Sequence, residues 1–208
     1  KNKAVLYVNV GDYKNVWDEL IRDIPQMREL ATEHFDNWKD TKAFATKALS
    51  ASQINNSDVV TDNNRDDNSK NITADNSSED TSDNITGIHG FYHKNIFEAV
   101  YCTNLLMRSA DVLVTKPSEL AFYPVPKLFI KRVGGHEQWG AVHSAEIGDG
   151  TLECRDIPHT LQMIKLFMED DTYIIDMCRN IKKNKQMGIY NGAYEAVKLA
   201  VNMKKSDI

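Results

Sequence analysis

Two short apolar runs separated by a proline-rich turn constrain this chain more than anything else in it. They are Val112 to Thr115 and Lys127 to Val133, with Pro117, Pro124 and Pro126 between them. Each run is strand-length and neither alternates apolar with polar residues, so both are expected as strands buried on two faces. The second leads into Arg132-Val133-Gly134-Gly135-His136-Glu137-Gln138-Trp139, a glycine pair opening a helix. Glycines after a strand let the backbone approach a ligand, and a helix start offers unpaired N–H groups and a positive dipole end to an anion. That is the geometry of a phosphate site, carried here by a short and common pattern.

Upstream, Ala4 to Val10 (AVLYVNV) is a near-continuous apolar strand followed by Gly11-Asp12 and then Asn15, a helix cap. Gly11 and Asp12 read either as ligand contacts or as a plain turn. Val16, Leu20, Ile21 and Ile24 recur at helical spacing. Pro25 then opens a second helix with Met27, Leu30, Ala31, His34, Phe35 and Trp38 on one face. From Leu49 to Asn84 the composition shifts to Asn, Asp, Ser and Thr with no aromatic residue. Such a segment buries too little to offset its ordering entropy and is expected as a flexible insertion. Asn55, Asn71, Asn76 and Asn84 begin Asn-x-Ser/Thr sequons, which a segment so rich in asparagine supplies by chance.

Order is expected to resume with a strand over Ile85 to Tyr92 and a helix capped by Asn95 that runs through Arg108. After the central stretch, Ile147 to Thr151 makes a turn into a last short strand ending at Cys154. Ile157 to Glu169, Thr172 to Lys183 and Met187 to Met203 follow as three helical patterns with Lys-rich outer faces. The expected organisation is therefore 1–48 as the first strand and helices of an α/β domain, 49–84 as the insertion, and 85–208 as the remainder.

Length and charge bound the function. A chain of 208 residues suffices for one generous domain or half of a two-domain protein. Because Lys1 is no initiator and a strand begins almost at once, a fragment or processed chain lacking an amino-terminal part is expected. The net charge of -5 argues against nucleic acid as a partner. Cys102, Cys154 and Cys178 are odd in number and lack paired spacing, so no disulfide framework, metal site or cofactor is expected, and a reducing cytoplasm is the simplest setting. No apolar run approaches the ~20 residues of a membrane span.

The order of features from Ala110-Asp111 through Ser118-Glu119-Leu120-Ala121, the Pro-x-Pro turn, the glycine pair and Glu137-Gln138-Trp139 to Ala141 resembles the carboxy-terminal, nucleotide-sugar-binding domain of GT-B glycosyltransferases. The group most similar to it comprises the cell-wall N-acetylglucosaminyl transferase and the galactolipid synthases. Similarity spans roughly Gly87 to Val201. It implies an α/β fold with a Rossmann-like, doubly wound parallel sheet as one half of a GT-B architecture, and a UDP-sugar ligand. It also implies metal-independent transfer, with the general base supplied by a missing amino-terminal domain. A peripheral membrane or lipid acceptor would be reached only through that domain.

Carried over by residue, the resemblance gives Glu119 the two ribose hydroxyls, and a carboxylate does have acceptor capacity for two adjacent donors. The same glutamate also suits the first turn of a helix by charge alone. Gly134, Gly135 and His136 would face the pyrophosphate, and Glu137 and Gln138 the sugar. Phe91, Tyr92 and His93 would cup the base, although Phe91 and Tyr92 read equally well as core aromatics. Trp139 and Ala141 match family positions, while Gly140 replaces a common asparagine. The family's glycine-rich loop before Ser118 is missing: Thr115-Lys116-Pro117 joins Ser118 directly, so Lys116 would act as a point charge in place of backbone donors. Two other readings stand beside the transferase, namely a nucleotide-sugar 2-epimerase and a non-catalytic module that kept the fold and lost the phosphate loop.

Overall fold

The computed structural model describes residues 4–57 and 85–206. The chain divides into two compact units, Lys1–Ser109 and Ala110–Ile208. In the first, β1 (Leu6–Asn9) leads through α1 (Lys14–Asp23) and α2 (Pro25–Leu30) to β2 (Ala31–Phe35). The long α3 (Trp38–Ser57) follows, then β3 (Ile88–Tyr92) and α4 (Ile96–Leu106). All three strands are parallel, with β3 in the middle: Val8 lies opposite Gly90 and His34 opposite Phe91.

Side-chain alternation along β3 sorts the helices onto two faces. Gly90 faces α1, where a Cβ would meet the Trp17 ring at 2.4 Å, so the indole occupies the space a side chain would need. His89 and Phe91 face the other way and meet Phe44 of α3 at 4.5 and 5.3 Å between ring centroids. Phe44, Ala48, Phe91, Cys102 and Leu106 form the core on that side. Each fully buried large apolar side chain contributes about 1.5–3 kcal/mol.

The second unit has β4 (Leu113–Thr115) parallel to β5 (Lys127–Phe129), with Leu113 opposite Lys127. A short 3-10 turn, Glu119–Phe122, lies between them, and another, Gly135–Glu137, leads into α5 (Gln138–Ile147). Then come α6 (Ile157–Glu169), α7 (Thr172–Gln186) and α8 (Gly192–Ser206). Leu128, Cys154 and Phe167 centre one core cluster, and Ala121, Phe129 and Ala141 another.

The doubly wound, Rossmann-like sheet expected from the sequence is not formed. About 60% of the structure is helical, and the strands make only two small parallel sheets of three and two strands. The physical reason lies after β5. Thr151 and Cys154 donate backbone bonds to Lys127 and Phe129 at 3.0 and 2.8 Å, yet only a single bridge at Gly150 qualifies as pairing. Beyond Cys154 the chain turns to helices and supplies no strand to extend the sheet.

Another correction concerns 31–35, expected as part of a helix and found as β2. Its apolar positions serve both faces: His34 packs on Phe91 at 4.8 Å and Phe35 on Trp17 at 5.7 Å. A strand covered on both sides loses the alternation that would distinguish it from a helix. The expected insertion from Leu49 begins inside α3, which runs to Ser57; its remainder, 58–84, lies outside the described residues.

Candidate functional site

Because β4 and β5 are parallel, the segments that follow them leave by the same edge, and there the sequence-expected residues of the second unit gather. Lys116 follows β4 and Glu137 follows β5, and Lys116 Nζ donates to Glu137 Oε1 at 2.5 Å. The other oxygen of Glu137 accepts from the backbone N–H groups of Val133 and Gly134 at 2.8 and 3.0 Å. These donors, Lys116 first, hold the Glu137 carboxyl well down, at about 2. In turn the pairing raises Lys116.

The glycine turn therefore does hold an anion, and that anion belongs to the chain. Lys116, expected to face a phosphate, and Glu137, expected to face a sugar, face each other. Glu119 is exposed at the start of its short helix, Ser118 precedes it half-buried, and Gln138 is exposed at the start of α5. Gly135 is exposed with open space where a Cβ would stand, while the His136 ring covers Gly134. Gly140 has a packing role: a Cβ there would meet the Pro117 carbonyl oxygen at 2.9 Å, so α5 lies directly on the loop after β4. An asparagine at this position would push the two apart.

Behind that edge lies a buried polar cluster that sequence reasoning missed. Lys127, fully buried, donates to the carbonyls of Tyr123 and Val125 at 2.8 and 3.0 Å and pairs with Asp149 at 2.8 Å. Asp149 also accepts from Ser144 Oγ and from Tyr190 OH, the latter at 2.7 Å. Burial lowers the Lys127 ammonium and, with the bond to Asp149, raises the Tyr190 phenol. All three ammonium protons have acceptors, so the cluster ties β5 to α5 and the Tyr190 turn. Its signal in the sequence was a lysine opening a run otherwise apolar enough to be buried, which demands a counter-charge.

The first unit presents a comparable edge. The outgoing segment of β1 turns toward α1, and that of the neighbouring β3 turns toward α4, on the opposite face. Ligands of parallel sheets sit in such a crevice, outside the carboxyl ends where connections part. In this unit the two outgoing segments are tied together there, His93 N–H donating to the Gly11 carbonyl at 3.0 Å. Asp36, after β2, adopts a left-handed φ of 46° and accepts from the Lys94 N–H at 2.6 Å. Asn95 caps α4 by accepting from the Phe97 N–H at 3.0 Å, as its position predicted.

Of the residues expected around the base, Phe91 is core, and Tyr92 is half-buried against Phe35 at 5.7 Å. His93 is fully buried, with Nε2 3.1 Å from Thr41 Oγ1. Nearby, His34 Nδ1 lies 2.6 Å from Asp40, its Nε2 lies 3.1 Å from His89 Nδ1, and His89 Nε2 lies 3.1 Å from the Thr86 carbonyl. A carbonyl only accepts, so Nε2 of His89 carries the hydrogen and its Nδ1 accepts from His34. Burial lowers both His89 and His93. Tyr92 and His93 belong to the first unit and the other expected site residues to the second.

Among the described residues no group of His, Cys, Asp and Glu is arranged to hold a metal ion, and no helix is long and apolar enough to cross a membrane. Compared with known proteins, the chain matches one family model, a domain of unknown function (DUF6938), over residues 1–77 and 52–201. No curated protein and no solved structure matches it.

Proposed function

The chain belongs to the DUF6938 family, and from that premise we propose that it is a binding module for a phosphorylated small molecule of the nucleotide-sugar class, taken up at the carboxyl edge of β4 and β5. One observation carries the reading: this edge already stabilises an anionic oxygen, through Lys116 and the N–H groups of Val133 and Gly134. Glu137 stands in for the ligand's anion. A diphosphate binds either by displacing it or by settling beside it on Gly135, whose surroundings are open, and the exposed His136. Glu119, exposed on the same edge, takes the sugar hydroxyls of the nucleoside.

Binding without turnover is the expected behaviour of this chain. The loop after β4 is short, ends in a proline and commits its lysine to Glu137, so little remains to act on a leaving group. If the chain serves glycosyl transfer, the catalytic base comes from elsewhere. The three cysteines are unpaired thiols, which suits a reducing, cytoplasmic setting.

Calorimetry with UDP and uridine tests this. Glu119→Ala is expected to weaken UDP by roughly tenfold to a hundredfold, as loss of a charge-assisted pair of bonds does. Lys116→Met is expected to cost UDP far more than uridine. Glu137→Gln decides the mode: if the carboxylate is a stand-in, the variant binds UDP more tightly than the parent. Absence of UDP binding by the parent overturns the proposal.

A further inference from the structure

The first unit has an open, solvent-facing cavity of about 450 Å³ between α3 and α4, lined by Trp38, Lys42, Phe97, Glu98, Tyr101 and Leu105. It sits by the carboxyl edge of the three-stranded sheet, since Trp38 opens α3 after β2 and Phe97 and Glu98 lie in the first turn of α4 after β3. Its volume falls in the range of small-molecule sites. Phe97 is 73% and Tyr101 61% exposed, so two aromatic rings face solvent here, Tyr101 beside the Trp38 ring at 6.3 Å.

Behind this wall lies His93. Its ring is completely buried and meets Trp38 edge-on at 5.7 Å, and its Nδ1 is a buried polar atom without a hydrogen-bond partner. Glu98 Oε2 is 3.7 Å away, beyond hydrogen-bonding distance. Glu98 is thus a carboxylate set among aromatic rings, with a histidine behind it. Across the cavity, the Lys42 ammonium rests over the Trp38 ring at 5.2 Å, showing that this face accepts a cation. The cavity therefore offers aromatic surface, one negative group and one positive group.

We infer that this cavity binds a small aromatic molecule bearing both an ammonium and an acidic group, of which an aromatic amino acid is the simplest case. The ring lies among Trp38, Phe97 and Tyr101, the ammonium pairs with Glu98, and the acid pairs with Lys42. Holding the ammonium brings Glu98 in toward the cavity floor, where His93 Nδ1–H donates to its other oxygen and is satisfied. The inference is independent of the nucleotide-sugar reading, which rests on the other unit.

The test is titration of the full chain with phenylalanine, phenethylamine and phenylpropionate, read by calorimetry and by the NMR shift of the Trp38 indole. Phenylalanine is expected to bind at least about tenfold tighter than either single-charge analogue, the gain of one charge-assisted contact. Glu98→Gln should bring phenylalanine to the level of phenylpropionate, and Lys42→Met to that of phenethylamine. Tyr101→Ala should weaken all three. Equal binding of the three compounds, no shift at millimolar concentration, or charge variants that leave phenylalanine unaffected would each overturn the inference. Should Glu98→Gln disturb the first turn of α4, seen as lost helicity, Lys42→Met on the exposed face of α3 still decides.

Discussion

Each unit buries polar side chains against its sheet, and the two do so by opposite means. In the second, Lys127 and Asp149 are an ion pair with every ammonium proton accounted for and the carboxylate bonded to Ser144 and Tyr190 as well. In the first, the buried groups are imidazoles: His34 and His89 share one hydrogen bond, and His93 keeps one nitrogen unpartnered. A saturated charge cluster holds a fold in one arrangement and leaves nothing over for a ligand. Imidazoles, one of them with a spare nitrogen, hold the fold through fewer bonds and leave one buried polar atom open to what arrives beside it.

The largest expected effect breaks the saturated side. Lys127→Met leaves Asp149 charged and buried and deprives two carbonyls of their donor, which should cost the second unit about 3–5 kcal/mol in urea denaturation. Adding Asp149→Asn should recover part of that loss by removing the stranded charge. If Lys127→Met melted like the parent, the cluster would not be the tie described.

A smaller effect is expected from Gly90→Ala on the first unit. The new methyl would stand 2.4 Å from the Trp17 ring, and the indole is itself held by its N–H bond to Glu33 at 2.8 Å. Overpacking of this kind costs about 1–3 kcal/mol. Denaturation followed by the Trp17 signal should show it, and an unchanged midpoint would mean that α1 packs more loosely on the sheet than its burial indicates.

The smallest effect, and the one that most sharpens the contrast, is the response to acid. Burial lowers His89 and His93 below the 6.5 of an unfolded chain, so the unfolded state binds more protons below that value. Their stabilising contribution is present above 6.5 and is lost as pH falls through the folded values. Glu137 is depressed from 4.5 to about 2, so its contribution is present above 4.5 and is lost only toward 2. Amide exchange resolved by residue should therefore show the first unit loosening as pH falls below 6.5 while the second stays protected until far lower pH. Simultaneous loosening of both units across that range would contradict the assignment.

Some local features of the chain were legible where the physics is local, although Asn15, expected as a cap, lies inside α1 behind Tyr13, and Val114 leaves one face of β4 exposed. Asn95 capping α4, the strand-length runs that became β4 and β5, the glycine pair opening the turn to α5, and α6 from Ile157 to Glu169 all depend on neighbours within a few positions. The convergence of Lys116, Ser118, Glu119 and Gly134 to Gln138 on one edge followed as well, since parallel strands deliver their outgoing loops to the same side.

What only tertiary structure decided was which groups satisfy one another. The conversion of 31–35 into β2 rests on pairing with β3, far away in sequence, and no periodicity within the segment records it. Nothing local says that Glu137 closes on Lys116, or that Lys127 finds Asp149 and Tyr190, because a buried charge takes whichever partner the packing brings. The size of the sheets was equally out of reach. Propensity sets where a strand can form, but a sheet grows only as far as neighbouring backbones bring unpaired groups to its edge, and after Phe129 this chain offers helices and a single bridge at Gly150.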